Sequence, residues 1–562
     1  MNDLLIKNGT VVDGSGEDRF IGDVSIKDGV ITGVGSNLGQ ASRIIDADGL
    51  LVTPGFVDVH THYDGQVTWD PYLTPSTFHG VTTAIFGNCG VGFAPVRKND
   101  ISYLINLMEG VEDIPGAVLS EGVKFNWESF PEYLDVLNSS PKAIDIGAQV
   151  PHGPLRFYVM GEKGADHTAI PTDAQITSMG VLLEEALNAG ALGFTTSRTT
   201  KHLSRDGKNT PSLSAGGIEM RGLAEAMKRA GKGIIEVNSD FGPGEFEIMR
   251  MVSEVSGRPL SILLLQTNNS PDLWRQTRDQ IHLARSQGLN VNGQVGCRPI
   301  VIIMGLETTI NPFSTHPRWI EMSALSSDER LAKIKYDANL RHDLVHKMPD
   351  DEHTRRVKEW LPKTFLMHKG FDYEPSPVDN ICDIAAKKGV EPLEVALEGM
   401  LNNNGKGLLA HTFENYFDGD LEVIRDMLLD EGTIMGLGDG GAHVCTVCDE
   451  GAPTYLLSHW GRDRKRGPTI PLEFLIKKHT LDSAKGYGLS DRGLIKAGYK
   501  ADINVIDYEE LALLDAEIAY DLPAGGKRLI QKAKGYKHTL VSGIEIIQQD
   551  EQTGNLPGRL LK

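Results

Sequence analysis

Cysteine is scarce in this sequence, with five residues in a chain of 562. A sparse, odd set does not suit a disulfide-stapled secreted domain, so we expect reduced thiols in the cytoplasm. No apolar run approaches the roughly 18 residues of a membrane span. The first residues, MNDLLIKNGT, lack the pattern of a secretory signal. These absences predict a cytoplasmic protein with no membrane partner.

Positive charge is also in deficit. The sequence has 56 basic and 76 acidic residues, which gives a net charge of −20. A surface of this sign repels nucleic-acid phosphates and anionic lipids, so neither is an expected partner. The length is sufficient for more than one hydrophobic core. We therefore expect a multi-domain globular protein that acts on a small molecule.

The chain divides into two kinds of pattern. Residues 1–54 and 490–562 alternate apolar and polar residues and break at Asn-Gly and Asp-Gly turns, which predicts one small β-sandwich domain built from both termini. Residues 55–489 repeat a helix–glycine–strand order about eight times, which predicts an α/β fold, a (β/α)8 TIM-like barrel. The less regular segment at about 310–400 is expected to be an insertion or lid.

Two histidines, His60 and His62, follow the apolar run LVTPGFVDV. In a β-strand the side chains of residues i and i+2 point to the same face, so these imidazoles would lie side by side. Paired imidazoles are natural metal ligands. Two surface histidines in a loop are the alternative, but the end of the first barrel strand is where barrel enzymes place their chemistry, which favours a metal site.

Two further residues fit the same site. Cys89 follows the next apolar strand, in the glycine-flanked turn GNCG, and its thiolate is a suitable zinc ligand. A buried structural cysteine is the alternative. Asp439 follows a later strand, in GDGGAH. Its carboxylate is expected either to bind the metal or to carry a proton from a metal-activated water to a leaving amine.

At this point the sequence resembles a known family. TPGFVDVHTHYD, GNCGVGFAP, GALGFTTSR, GDGGAH and the C-terminal DLPAGGKRLIQKAKGYKHTLVSG are similar to the amidohydrolase superfamily, and within it to the D-aminoacylase (N-acyl-D-amino-acid deacylase) family. The resemblance implies a zinc-containing barrel with one or two Zn²⁺ ions and a flanking β-sandwich. It implies His60, His62 and Cys89 as metal ligands and Asp439 as the catalytic aspartate. A homo-oligomer is a further expectation.

The chain departs from the family pattern at the metal site. The family places histidines at the ends of barrel strands five and six, where this sequence has Glu236 and Leu264. A glutamate is a suitable ligand and a leucine is not, so Glu236 is a candidate ligand and the number of metal ions stays open. The sequence is therefore a divergent member of the family.

The sequence also departs from the family pattern at the expected substrate-binding residues. The family has an arginine shortly after the catalytic aspartate, and the corresponding region here, HVCTVCDEGAPTYLLSHWGRDRKRG, does not place one there. His443, Arg298 and His202 are the substrate-binding candidates at the barrel mouth. A purely structural role is the alternative for each of them.

These features lead to three hypotheses. The leading one is a metal-dependent hydrolase that cleaves a non-peptide carbon–nitrogen bond, in an N-acyl-D-amino acid or related N-acyl amide. The second is hydrolysis of a cyclic amide, lactam or lactone, or a lyase reaction, on the same scaffold. The third is a catalytically inactive, metal-free scaffold, since a fold does not imply an activity.

Overall fold

A computed structural model describes residues 1–562. Eight parallel strands lie side by side in chain order and form one curved sheet. We number these barrel strands one to eight: Phe56–Asp58, Val81–Phe86, Asp145–Pro151, Gly193–Arg198, Ile234–Ser239, Leu260–Leu263, Val291–Val295 and Thr433–Met435. The prediction of an α/β barrel is confirmed.

The barrel strands are buried almost throughout, as expected when helices cover a parallel sheet. The helices that accompany the barrel are Ile101–Glu112, Gly116–Gly122, Phe130–Ser139, His152–Met160, Glu162–Ala165, Asp173–Ala189, Gly217–Ala230, Glu245–Ser256, Leu273–Ser286, Glu422–Leu429, Ala452–Tyr455, Leu472–Lys477 and Ser483–Gly486. None of the helices combines the length and the apolar character that a bilayer crossing requires.

Both termini contribute to a second, mainly antiparallel sheet of nine strands. Its strands are Asn2–Val11, Phe20–Lys27, Val30–Gly35, Ala41–Asp46, Leu51–Pro54, Ile503–Ile506, Tyr536–Val541, Ile544–Gln548 and Glu551–Gln552. The two ends meet where Ile503–Ile506 pairs with Leu51–Pro54. A cluster of 14 buried apolar residues, which includes Leu4 and Leu540, holds them together. The expected β-unit from both termini is therefore present.

Two short hairpins complete the C-terminal region. Ala512–Leu513 pairs with Ala533–Lys534, and Glu517–Leu522 pairs with Gly526–Ile530.

An insertion separates barrel strands seven and eight. It contains a three-stranded antiparallel sheet of Ile300–Met304, Thr364–Met367 and Leu408–Glu414. Its helices are Pro317–Ile320, Ser327–Tyr336, Ala338–His346, Glu352–Trp360, Ile381–Lys388 and Pro392–Gly405. A separate core of 20 buried apolar residues stabilises it. The segment that the sequence marks as irregular, about 310–400, lies inside this unit, and its role as a lid stays a prediction.

A buried cluster of charged side chains joins the C-terminal segment to the N-terminal ends of the barrel strands. The Arg492 guanidinium donates to Asp145 Oδ2 at 2.9 Å and to the Thr83 hydroxyl at 2.8 Å, and both acceptors lie on barrel strands. Lys500 bridges Asp145 and Asp502, at 3.1 and 2.6 Å. Because these carboxylates are removed from water, they depend on their cationic partners.

We expect Arg492→Ala to lower the unfolding temperature by several degrees, because removal of one partner from a buried ion pair costs about 3–5 kcal/mol. Differential scanning calorimetry measures this change. The matched control is Arg355→Ala, since Arg355 and Asp350 form an ion pair with side chains that are 63% and 97% exposed. Equal unfolding temperatures for the two variants would contradict a stabilising role for the buried cluster.

Candidate metal centre

Three donor atoms converge at the mouth of the barrel. His60 and His62 follow barrel strand one, Cys89 follows strand two, and all three side chains are buried. One ring nitrogen of each histidine and the Cys89 thiol lie within 4.8 Å of one another. His60 Nε2 is 3.4 Å from Cys89 Sγ. The structure thus brings together the three residues that the sequence singles out as ligands.

Asp439 adjoins this group from the loop after barrel strand eight. Its Oδ1 atom lies 3.4 Å from His60 Nε2 and 3.9 Å from His62 Nε2. Two backbone hydrogen bonds hold the loop against the histidines: Asp439 N–H donates to the His60 carbonyl at 3.0 Å, and His62 N–H donates to the Gly440 carbonyl at 2.8 Å. The carboxylate is therefore fixed beside the imidazoles.

The turn that carries Cys89 is shaped by its neighbours. Cys89 has a φ of 54°, in the left-handed region, and its N–H donates to Glu236 Oε2 at 3.0 Å. The Asn88 amide donates to the Thr61 carbonyl at 3.1 Å and accepts from Gln149 Nε2 at 2.8 Å. These bonds hold the thiol at the end of strand two, pointing to the histidines.

Gly90 lets this turn approach barrel strand four. It has a φ of 65°, and a Cβ atom there would lie 2.6 Å from Ser197 N. A backbone atom cannot move aside as a flexible side chain can, so this position requires glycine. The GNCG motif thus places the cysteine through its glycine as much as through its polar residues.

Each histidine has an oxygen atom close to its other ring nitrogen. Gln294 Oε1 is 2.9 Å from His60 Nδ1, and the Gln294 amide is oriented by donating to Ser261 and Tyr487. Glu112 Oε1 is 3.2 Å from His62 Nδ1. The Gln294 contact assigns the proton of His60 to Nδ1 and leaves its Nε2 lone pair free for a metal. Glu112 lies close to His62 Nδ1 without forming a hydrogen bond to it.

Glu236 occupies a different position from the one that the sequence suggests. Its Oε1 atom lies 3.8 Å from His60 Nδ1, on the ring edge opposite Nε2, and it is outside the three-donor group. Two residues further along the same strand, Asn238 reaches the mouth, where its amide is 3.5 Å from Cys89 Sγ. The structure therefore gives Glu236 a supporting position behind His60 and the Cys89 turn.

Burial controls the charge of the donors. It lowers the pKa of His60 to about 4 and that of His62 well below the usual value, so both rings are neutral at pH 7. Burial, together with nearby carboxylates such as Glu236, raises the pKa of the Cys89 thiol well above its usual value. Burial and the neighbouring acids also raise the pKa of Asp439.

This donor set fits a metal ion. None of the acidic groups Cys89, Glu112, Glu236 and Asp439 is paired with a lysine or arginine. A cation among them would offset the repulsion and lower the pKa of the thiol. Two imidazole nitrogens and a thiolate match the preferences of zinc, whereas magnesium and calcium prefer all-oxygen shells.

Two of the three substrate-binding candidates lie beside the metal site. His443 Nε2 is 3.9 Å from Glu112 Oε2, and its side chain is 34% exposed. His202 Nδ1 contacts the Ser197 hydroxyl at 3.0 Å, and its Nε2 lies 3.3 Å from the Asn238 amide. Both imidazoles therefore border the space above the metal ligands.

Arg298 makes its contacts away from the metal ligands. Its guanidinium is buried, contacts Asp449 at 3.1 Å and donates to the Cys448 carbonyl. It also lies over the Tyr373 ring, 4.0 Å from the centroid. These contacts favour the structural alternative for Arg298. Leu264, directly after barrel strand six, is buried and offers no ligand.

Sequence reasoning missed Glu112, Gln294 and Asn238. Glu112 is the last residue of the helix Ile101–Glu112, and it is one of three acidic residues in the stretch LINLMEGVEDIPG, so the sequence does not single it out. Gln294 and Asn238 lie on barrel strands, where a polar residue in an apolar run was the available signal.

The fold and this site define a class of protein. The profile described as "Amidohydrolase family" matches residues 43–547, and the chain belongs to the amidohydrolase family, which is the class of enzyme that acts on non-peptide carbon–nitrogen bonds. The resemblance seen in the sequence is thereby confirmed.

Particular relatives cover the whole chain. It is 34% identical over 567 residues to an N-acyl-D-aspartate deacylase of Alcaligenes xylosoxydans xylosoxydans, with 100% of this chain and 95% of that protein covered. It is 27% identical to a D-aminoacylase of the same organism, with 100% and 97% covered. An N-acyl-D-glutamate deacylase from Bordetella bronchiseptica, solved with zinc and a phosphonate inhibitor, has the same fold at 22% identity, with a TM-score of 0.65 and 100% and 99% covered.

We expect Gly90→Ala to reduce bound metal strongly, because the added Cβ pushes the Cys89 turn away from strand four. Elemental mass spectrometry of the purified variant measures the metal content. Gly389→Ala is the matched control, since Gly389 also lies in the left-handed region, with a φ of 68°, but has nothing within 4 Å of an added Cβ. Both variants carry the backbone strain of about 1–2 kcal/mol, so equal metal content in the two would contradict this account of the turn.

Proposed function

We propose that this amidohydrolase removes the acyl group from an N-acyl-D-amino acid or a related N-acyl amide, and that its metal is zinc. The observation that carries the proposal is the convergence of His60, His62, Cys89 and Asp439 at one end of the barrel, from strands one, two and eight. The relatives named N-acyl-D-aspartate deacylase and D-aminoacylase support the substrate class. The zinc recorded with the N-acyl-D-glutamate deacylase supports the metal.

We propose a single ion, held by His60, His62 and Cys89. These residues form the one group of three potential ligands that the structure brings within 4.8 Å, and Leu264 offers no ligand on strand six. When bound, zinc polarises a carbonyl oxygen and lowers the pKa of a water molecule to about 7.

In this proposal Asp439 moves the proton. Its Oδ1 atom lies beside both imidazoles, on their Nε2 side. It accepts a proton from the water whose oxygen bonds to the amide carbonyl carbon. As the carbon–nitrogen bond breaks, Oδ1 delivers that proton to the departing nitrogen, which leaves as an amine, and the acyl group leaves as a carboxylic acid.

The other residues of the mouth orient the reactants. Gln294 holds the His60 ring, so that this ligand need not reorganise when substrate arrives. Partial burial lowers the pKa of His443 to about 4 and that of His202 to about 3. Both are neutral at pH 7, and each is a suitable hydrogen-bond partner for the amide group of a substrate.

We expect the purified protein to hydrolyse N-acyl-D-amino acids faster than their L-enantiomers, and Asp439→Asn to lower kcat by about 10²–10⁴-fold, because an amide cannot carry the proton. Amine release from a panel of N-acyl-D- and N-acyl-L-amino acids, cyclic amides and lactones measures both. Zinc content serves as the control for an intact site. Full turnover by Asp439→Asn, or activity confined to cyclic substrates, would contradict the proposal.

A further inference from the structure

Glu112 is a buried acid that takes no part in the chemical steps of the proposed reaction. It ends the helix Ile101–Glu112, in the long connection between barrel strands two and three. The residue is 1% exposed, and neither carboxylate oxygen has a well-aligned hydrogen-bond partner. Its closest titratable neighbours are imidazoles: His62 Nδ1 is 3.2 Å from Oε1, and His443 Nε2 is 3.9 Å from Oε2. The carboxylates of Asp439 and Asp64 also lie near enough to repel its charge.

The carboxylate is not needed to anchor its own segment. The neighbouring Asp113 accepts hydrogen bonds from the hydroxyls of Thr309, at 3.0 Å, and of Thr446. The Glu112 backbone carbonyl accepts the His443 N–H at 2.5 Å. The helix end is therefore fastened to the insertion and to the loop after strand eight by groups other than the Glu112 side chain.

A buried carboxylate without a cationic partner is costly, by several kcal/mol. Packing alone does not account for an acid at this position. His60 differs in this respect, because its closest Nδ1 partner is the neutral Gln294 amide. A carboxylate behind a ligand histidine fixes the ring and raises its basicity.

We propose that Glu112 is a positioning residue for the metal ligand His62, with the mouth residue His443 as its second neighbour. The proposal rests on the proposed function for its metal. Through Oε1 the carboxylate keeps His62 Nε2 directed at Cys89 and Asp439. Oε2 lies 3.9 Å from His443 Nε2, which is beyond hydrogen-bond distance, so His443 is a neighbour that the carboxylate does not hold.

The test uses the full-length protein with zinc added alone. We expect Glu112→Ala to bind zinc about 10–100-fold more weakly than the wild type in competition with a chromogenic chelator. Glu112→Gln keeps an oxygen acceptor near His62 without the charge, so an intermediate affinity is expected. Cobalt(II) substituted for zinc gives an absorption spectrum that reports ligand geometry, and we expect it to change in both variants.

A matched control separates positioning from stability. Glu219 is also a buried glutamate that contacts a histidine, with Oε1 3.0 Å from His152 Nε2 and 2.8 Å from Arg156 Nε, but it lies outside the metal group. We expect Glu219→Gln to lower the unfolding temperature while zinc affinity and the cobalt spectrum stay as in the wild type.

Unchanged zinc affinity and an unchanged cobalt spectrum in Glu112→Ala would overturn the proposal. If Glu112→Ala does not fold, the nearly isosteric Glu112→Gln is the deciding variant. A zinc affinity and a cobalt spectrum equal to those of the wild type would then overturn a role for the carboxylate charge. Failure of the proposed function is a separate result: a wild-type protein that binds zinc but hydrolyses no N-acyl amide contradicts the reaction and leaves the Glu112 measurement valid. A wild-type protein that binds neither zinc nor cobalt contradicts both.

Discussion

The site depends on backbone hydrogen bonds between the segments that follow the first and eighth barrel strands. His60 and Asp439 are far apart in the sequence, yet the Asp439 N–H donates to the His60 carbonyl, and the His62 N–H donates to the Gly440 carbonyl. Gly440 allows this approach, because a Cβ there would lie 2.5 Å from the Tyr63 hydroxyl. Two backbone hydrogen bonds thus hold the imidazoles and the carboxylate together.

Electrostatics and packing are coupled at this point of the fold. Burial makes His60 and His62 neutral, which suits them as ligands, but it also raises the pKa of Cys89 and Asp439. A cation at the mouth resolves this conflict, because it favours the thiolate and offsets the acids around it. Glu112, which lies behind His62, is one of the acids whose charge such a cation would offset. The metal is therefore expected to stabilise the arrangement as well as to supply chemistry.

Much of this could be predicted from the sequence, where the pattern is local. The spacing of His60 and His62 predicts that both rings share one face, and the structure brings their nitrogens together although both residues follow the strand. The sequence also indicates that Glu236 lies on a strand that faces the barrel interior, but not how deep it lies, and Asn238 is the residue that reaches the mouth. Depth depends on the register of neighbouring strands, which one sequence does not specify.

Residues whose roles depend on distant partners could not be predicted. Glu112 lies in a helix 50 residues after His62, and only the folded chain brings them within 3.2 Å. For Arg298 the sequence predicts a role that the structure does not support. An arginine at a strand end suggests a substrate contact, but the charge of Arg298 is offset by the buried Asp449. A side chain's type indicates what it can bind, and tertiary structure decides what it does bind.

The most direct test of the central claim is the metal content of the protein, measured by elemental mass spectrometry after purification without a metal-affinity tag. We predict about one zinc ion per chain in the wild type and little in Cys89→Ala, because the thiolate is one of three ligands. A wild-type protein that takes up no metal after incubation with zinc, or a Cys89→Ala variant that retains it fully, would contradict the account.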